Sequence, residues 1–435
     1  IGNLNITRTY KFFDTLLLTL LVLSGGGLLF VYFKKPASVA LCILSLFICV
    51  FFGRKLNKGL FNAGILTLVT FSSIILFTYV VSPFNQEFIK YVFYLLNGVS
   101  CVLIYIHISN NRNLTYFYER MRVVLRIILY FSLANFLFGF FLGYGFLKAL
   151  PWWKGEYHEV QHFNYLFFYE SIKHKYTVFG LDFVRNQGWF WEPGVNQVYL
   201  NLLLYLEGFV FKNRVRWILP IIVFAIITTF STSGLIIMSL LLLSMYINSI
   251  IKYIIKGNPV IIIVFSLFFI IPSYYVVQKV VVPNIVDKTT GDQESSFQKR
   301  VFDLVQCPCI AADYPLTGVG LDKIAFSEFR GEYIMSDNCK AFSDYLEELT
   351  GFEFKATESE KGSSNSITGL MAKIGFIFSF ILLFFFFRQN LFNIRKGIFT
   401  LVILVSVSFE PLLLRPFFLI LIISGMFAFF NRFTK

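Results

Sequence analysis

Charge is what this chain has least of. Only 14% of its 435 residues are Asp, Glu, Lys or Arg, and 57% are apolar. A soluble fold of this length would need far more polar surface, so a water-soluble globular protein is excluded. A small-residue cleavage site after the first apolar run is also missing, so residues 12–33 read as a first membrane helix and not as a signal peptide. The net charge of +13 then reads as a cytoplasmic loop bias, not as a nucleic-acid surface.

What is present is a series of apolar runs. A helix needs about 20 apolar residues to cross a bilayer, and that length predicts twelve spans. They fall at 12–33, 37–52, 61–81, 89–108, 123–146, 195–211, 215–229, 235–255, 260–277, 367–387, 397–409 and 412–430. The chain divides accordingly into membrane helices at 1–146, a first outer loop at 147–194, membrane helices at 195–279, a larger outer loop at 280–365, and membrane helices at 366–435. With the N-terminus in the cytoplasm, the inner links carry Arg54, Lys55, Lys58, Arg112, Arg120, Arg122, Lys212, Arg214, Arg216, Lys252, Lys256, Arg388, Arg395 and Lys396, and the tail adds Arg432 and Lys435. The short outer links carry only Lys34, Lys35, Lys90 and Arg415, which is a positive-inside pattern with both termini cytoplasmic. Cys42, Cys49 and Cys101 lie in spans and read as packing residues. Cys307 and Cys309 are too close in sequence to pair easily; either one bridged to Cys339, or free thiols throughout, fits the pattern.

Four polar clusters fall on the outer side of this topology. The first is Arg185 with Glu192, in an aromatic and glycine-rich stretch that precedes the run at 195–211. An Arg held at a membrane surface suits a phosphate or diphosphate, which it grips through two parallel N–H···O bonds; the alternative is an interfacial aromatic belt with a snorkelling Arg. The second is the turn Ser231-Thr232-Ser233-Gly234. The third is Arg300, opening an amphipathic helix that leads to Pro315-Leu316-Thr317-Gly318-Val319-Gly320. The fourth is Glu410 with Arg415. Each has a bland reading as a snorkelling cation, a capping turn or a surface ion pair. Together they are how a membrane protein would build a polar site beside lipid. A competing motif is His158-Glu159-Val160-Gln161-His162, the H-E-x-x-H pattern of zinc proteases, with His174 or Glu170 as a third ligand. It lies in a loop without a second protease motif, so a solvated amphipathic segment on the membrane is the expectation there, and no bound zinc is predicted.

The chain resembles the Wzy-type polymerases of bacterial O-antigen and capsular polysaccharide, which are related to the O-antigen ligases. The resemblance rests on Arg185-Asn-Gln-Gly-Trp-Phe-Trp-Glu192-Pro193-Gly194, on Ser231-Thr-Ser-Gly234, on Arg300 followed by Pro315–Gly320, and on Ser364-Asn365-Ser366 leading into Gly369-Leu-Met-Ala-Lys-Ile-Gly375. It covers the second half of the chain, and the first half by hydropathy alone. Ligases tend to carry a His where Ser364 stands and an Arg near Ser233; the absence of both favours a polymerase. The resemblance implies an all-α polytopic fold similar to GT-C glycosyltransferases, in the bacterial inner membrane, with two large periplasmic loops. It implies undecaprenyl-diphosphate-linked repeat units as substrates, no cofactor, and a chain-length regulator and flippase of the same pathway as further partners. Arg185 and Arg300 are then expected to bind the donor diphosphate, with Arg415, Ser231, Ser233, Asn365 and Glu410 contributing to substrate binding. Glu192 is the first candidate base, followed by His158, His162 and Glu410.

Two absences weigh against other classes. The two halves of the chain look unalike, whereas a transporter shows repeat symmetry with interrupted helices and midplane charges. The first short outer link, around Lys34 and Lys35, holds no acid of the kind that transferases using a single-sugar phospholipid place there.

Overall fold

The computed structural model describes residues 2–53, 57–111, 113–142, 146–150, 160–170, 175–178, 181–212, 217–255, 294–350 and 362–433. The expected span at 260–277 lies outside them, as do His158, Glu159 and His174. In chain order the helices are α1 (Gly2–Ser24), α2 (Leu28–Tyr32), α3 (Lys34–Phe52), α4 (Lys58–Val81), α5 (Phe88–Asn111), α6 (Leu114–Leu142), α7 (Pro193–Tyr205), α8 (Ile218–Ile227), α9 (Thr232–Ile255), α10 (Glu294–Asp313), α11 (Lys323–Glu332), α12 (Asp337–Thr350), α13 (Ser366–Phe387), α14 (Lys396–Phe409) and α15 (Pro416–Phe430). They form two compact units. The first comprises Ile1–Val124, Gln298–Lys396 and Val407–Lys435; the second comprises Leu125–Phe297 and Gly397–Ser406.

Among the described residues, five stretches are long and apolar enough to cross a bilayer: Lys34–Phe52, Lys58–Val81, Phe88–Asn110, Leu114–Phe141 and Ser366–Phe387. The chain is thus a mostly helical membrane protein. Several other expected spans are shorter apolar helices, among them Ile218–Ile227, Lys396–Phe409 and Pro416–Phe430. The expected run at 12–33 is not one helix, because Gly25, Gly26 and Gly27 separate α1 from α2. Three consecutive glycines lose the most backbone entropy in a helix, and the chain breaks there.

Within this mostly helical chain, short strands occur between residues 148 and 184. Strands β1 (Lys148–Ala149), β2 (Val160–Phe163) and β3 (Phe167–Glu170) form an antiparallel sheet, and β4 (Lys175–Val178) pairs with β5 (Leu181–Val184). Asn164 and Tyr165 turn β2 into β3 with φ of 49° and 57°, the left-handed turn that matches strand twist. His162 therefore sits in a strand, where the two-ligand helical face of an H-E-x-x-H motif cannot form. Its Nδ1 accepts the Tyr165 N–H at 3.1 Å and its ring stacks on Tyr165. Burial, with the Lys148 charge added, holds the His162 imidazole below its ordinary value.

In the first unit, α13 is interrupted. Gly375 has φ 77° and ψ 170°, in the middle of the apolar run. The break removes the helical partners of the Ala372 and Lys373 carbonyls. They accept instead from the Val319 and Gly320 N–H groups, each at 2.9 Å, while the Ile377 N–H reaches the Pro315 carbonyl at 3.4 Å. A backbone break at membrane depth is tolerated only when other protein groups complete its hydrogen bonds, and the 315–320 segment does so. The α4–α5 link holds that segment in turn. Ser82 Oγ and Gln86 Nε2 donate to the Val319 carbonyl, and Lys90 Nζ meets Asp322 Oδ1 at 2.6 Å.

Gly318 and Gly375 are fixed by this geometry. Gly318 has φ 58°, and a Cβ there would collide with the backbone of residues 372–374; one at Gly375 would meet the Pro315 carbonyl. Such backbone conformations cost about 1–3 kcal/mol in a non-glycine residue before any clash. Gly318→Ala and Gly375→Ala should each lower the thermal unfolding midpoint of the purified protein by several degrees. Gly397→Ala, where a Cβ meets nothing within 4 Å, should leave it unchanged.

Candidate functional site

Two of the four polar clusters belong to the second unit. Arg185 follows β5, and its Nε donates to the Thr229 carbonyl at 3.2 Å. The next residue, Asn186, is buried and ties the same region together: its backbone N–H donates to the Thr228 carbonyl, and its Nδ2 to Thr228 Oγ1 and the Ser132 carbonyl. The Arg185–Glu192 stretch and the turn at Ser231–Gly234 are therefore neighbours. Aromatics fix the stretch, with Trp189 stacked on Phe131 at 4.1 Å and Phe190 on Tyr199 at 4.7 Å. Ser231 and Ser233 hydroxyls bond each other at 3.1 Å, and Ser231 Oγ accepts the Gly234 N–H at the start of α9. That is the capping role of such a turn, and the bond between the two hydroxyls occupies one O–H and leaves the other able to donate. Glu192 is the residue before α7, with Pro193 at its first position, and makes no side-chain cap to the helix.

The other two clusters belong to the first unit. Arg300 lies on α10 with its guanidinium 5.9 Å from the Phe409 ring centroid, at the end of α14. One turn on, Asp303 is fully buried. Its Oδ1 accepts from Arg330 at 2.6 Å, and its Oδ2 accepts from both the backbone N–H and the hydroxyl of Ser364 at 2.7 and 2.6 Å. Arg330 Nε donates to Gln306 Oε1 at 2.6 Å. Asn365 Oδ1 caps α13, accepting from the Ile367 and Thr368 N–H groups. Ser366 Oγ donates to the Glu410 carbonyl at 2.6 Å and accepts from the Leu412 and Leu413 N–H groups. The Ser364-Asn365-Ser366 motif thus joins α10 to the α14–α15 link, where the Glu410 side chain is buried and Arg415 precedes α15.

Lys373 completes this surface. It is half-buried on α13 just before the break at Gly375, with Nζ 4.8 Å from the Phe326 ring centroid. Arg300 lies by Phe409 and Arg415 precedes α15, so both flank the α14–α15 link, while the Asp303 carboxylate is already satisfied by Arg330 and Ser364. Chemically, such a surface holds phosphate oxygens through charge-assisted hydrogen bonds.

One disulfide, Cys309 to Cys339, joins α10 to α12 with a Cα–Cα distance of 6.0 Å. Cys307 stays reduced and buried, and burial pushes its thiol up to about 11. A disulfide of this kind persists in an oxidising compartment. Non-reducing peptide mapping of protein from native membranes should recover the 309–339 link. Cys307 should resist maleimide until the protein is unfolded.

Sequence reading missed Asp303, Arg330 and Lys373, and also the ion pair of buried Glu207 with the partly exposed Arg126 at 2.6 Å in the second unit. Glu207 sits in a π-helical turn, Leu206–Val210, that ends the run begun by α7. A usable signal existed for three of these residues. Lys373, Glu207 and Arg126 are charges inside predicted spans, and an intramembrane charge marks a site by default. Asp303 and Arg330 carry no such signal, because their pairing joins residues 27 apart. Among the described residues, no three His, Cys, Asp or Glu side chains come together as metal ligands. No family model matches the chain, and neither does any curated protein or solved structure, so its function is read from this chemistry alone.

Proposed function

We propose that the chain is a GT-C-like membrane polymerase of lipid-linked glycans. It would move a growing chain from undecaprenyl diphosphate onto the distal sugar hydroxyl of a new lipid-linked repeat unit, at the periplasmic face of the bacterial inner membrane. The observation that carries the reading is that Arg300 and Arg415 flank the α14–α15 link, which the Ser364–Ser366 motif ties to the start of the interrupted helix α13. The leaving group is a diphosphate and already activated, so the protein has mainly to stabilise the charge that develops on it, and fixed cations do so in a water-poor site. Direct displacement at the anomeric carbon needs no enzyme nucleophile. It needs a base or an oriented acceptor carboxylate for the incoming hydroxyl, and Glu192 and Glu410 are the candidates. Ser364 donates to Asp303, so it offers no base at the position where ligases tend to carry His. In the second unit both amide atoms of Gln187, and Nε2 of Gln197, are buried without a protein partner. A sugar hydroxyl supplies the donor and acceptor that such amides lack.

One observation favours a different reading. A break inside an apolar helix with a Lys beside it is also how transporters of lipid-linked sugars would build a binding site. Purified full-length protein incubated with undecaprenyl-diphosphate-linked repeat units separates the two. A polymerase yields a ladder of lengthening glycans and releases one undecaprenyl diphosphate per transfer. Movement of unextended repeat units across sealed vesicles, with no ladder, would replace the proposal with the transporter.

A further inference from the structure

Helix α6 contains one of the stretches long and apolar enough to cross a bilayer. Among its described side chains from Val123 onward, the exposed ones are Val123, Ile127, Tyr130, Ala134, Leu137 and Phe141. All are apolar and follow each other at intervals of three or four residues, so they form a single stripe along the helix. The exposed residue before them is Glu119, whose charge ends the stripe. From Val123 to Phe141 the helix rises about 27 Å, close to the roughly 30 Å thickness of the hydrocarbon core. The stripe is therefore the face that α6 turns to lipid.

The row beside it, Phe131, Asn135 and Phe138, carries the β2–β3 hairpin. Phe167 stacks on Phe131 and on Phe138, with centroids 5.4 and 4.7 Å apart, and Phe163 meets Phe138 at 4.9 Å. Asn135 Nδ2 donates to the Phe168 carbonyl at 3.1 Å, and the Tyr169 hydroxyl donates to the Asn135 carbonyl at 2.8 Å. At 1.5 Å per residue, Phe138 and Phe131 lie about 5 and 15 Å before Phe141 along the helix. The hairpin thus crosses α6 inside the lipid-facing length. In the sheet order β1-β2-β3, it is β3 that reaches Phe131, so β1, with Lys148, lies toward the end of the helix.

The hairpin's sequence suits that depth. Residues 160–169 (VQHFNYLFFY) include no Asp, Glu, Lys or Arg, whereas Glu159 and Glu170 bracket them in the chain. The turn exposes two large apolar side chains, Tyr165 by 57% and Leu166 by 50%. Their backbone N–H groups are satisfied within the hairpin: Tyr165 donates to His162 Nδ1 and Leu166 to the Phe163 carbonyl, each at 3.1 Å. Backbone in contact with hydrocarbon needs such internal partners, because no water is there to supply them.

We infer that the β2–β3 hairpin inserts its turn into the bilayer, in the leaflet at the C-terminal end of α6, with Tyr165 and Leu166 against lipid acyl chains. The turn continues the lipid-facing stripe of α6. The inference is independent of the polymerase proposal, since it concerns where the chain meets lipid and its test reads no activity.

The test is spin-label accessibility in the full-length protein, reconstituted in phosphatidylcholine nanodiscs so that both faces are open to solution. Cys42, Cys49, Cys101 and Cys307 are first replaced by Ala, which leaves the Cys309–Cys339 disulfide. Nitroxide is then attached to Tyr165→Cys, Leu166→Cys, Leu137→Cys as the lipid reference and Asp344→Cys, an exposed charged position on α12, as the water reference. Oxygen concentrates in hydrocarbon and a nickel chelate in water. The oxygen-to-nickel collision ratio at positions 165 and 166 should match that at 137 and exceed that at 344 severalfold. A ratio at the level of position 344 would overturn the inference and place the turn in water. Low collision with both reagents would overturn it too, since protein would then cover the turn. If the label disturbs the turn, unlabelled variants decide. Leu166→Asp should lower the unfolding midpoint in nanodiscs by several degrees, because a carboxylate in hydrocarbon is costly, and Leu166→Phe should leave it unchanged. At a water-exposed turn both substitutions are close to neutral, so an unchanged midpoint for Leu166→Asp would overturn the inference.

Discussion

Arg300→Lys and Arg185→Lys, assayed one at a time at matched protein levels, should each slow polymerisation of lipid-linked repeat units by a factor on the order of 10²–10³. Both substitutions keep the net charge. What they remove is the planar guanidinium, which meets two phosphate oxygens at once and which a Lys ammonium cannot copy. Arg300 is half-buried over the Phe409 ring, and a Lys would lose that stacking as well. Arg185 is anchored through Nε to the Thr229 carbonyl, so its terminal nitrogens are held in a fixed direction. The two residues belong to different units of the chain, and separate variants report on each independently. Initial rates from glycan ladders, with released undecaprenyl diphosphate as a second readout, decide the matter. Near-normal chain lengths and rates in both variants would remove the diphosphate role for these arginines.

Asp303→Ala should destabilise the protein by about 3–5 kcal/mol, because it leaves the Arg330 guanidinium buried without its counter-charge. Asp303 and Arg330 side chains are both 0% exposed, and the lost carboxylate also strands the Ser364 N–H and hydroxyl. The expected readout is a large fall in unfolding temperature and in yield from membranes. The double variant Asp303→Leu with Arg330→Met should recover much of that loss, since replacing both buried charges with apolar groups is often close to neutral. The same pair of measurements distinguishes scaffold from catalyst. A folded Asp303→Asn protein with normal stability but no polymerisation would mean that the carboxylate takes part in the reaction. Stability loss that tracks activity loss would mean that it holds Ser364 and α10 in position.

Much of the fold was legible in the chain because hydropathy has a length scale. Runs such as 61–81, 89–108 and 367–387 became helices α4, α5 and α13 with ends shifted by a few residues. A long apolar run must satisfy its own backbone, and a helix does so locally. The first outer loop was not legible in that way. Its hairpins depend on pairing between residues such as Val160 and Glu170, and the H-E-x-x-H match drew attention to a helix in a segment whose described part is a strand. The run at 12–33 misled for a different reason, since hydropathy does not register that Gly25–Gly27 will not continue a helix.

The candidate site divides along the same line. The sequence by itself determined which residue types were available: an Arg beside aromatics at 185–192, a Ser-Asn-Ser at 364–366, and glycines at 318, 320 and 375. Composition and motif spacing supply such facts because they are local. Only the tertiary structure decided what each residue does. It assigned Asn365 and the Ser231–Ser233 pair to helix capping and Ser366 to the α14–α15 link. It also joined Asp303, Arg330 and Ser364 into one buried network and used the Val319 and Gly320 N–H groups to complete an interrupted helix. These are contacts between segments far apart in the chain. They follow from the requirement that every buried charge and backbone group find a partner, and that requirement can be met only once the helices have packed.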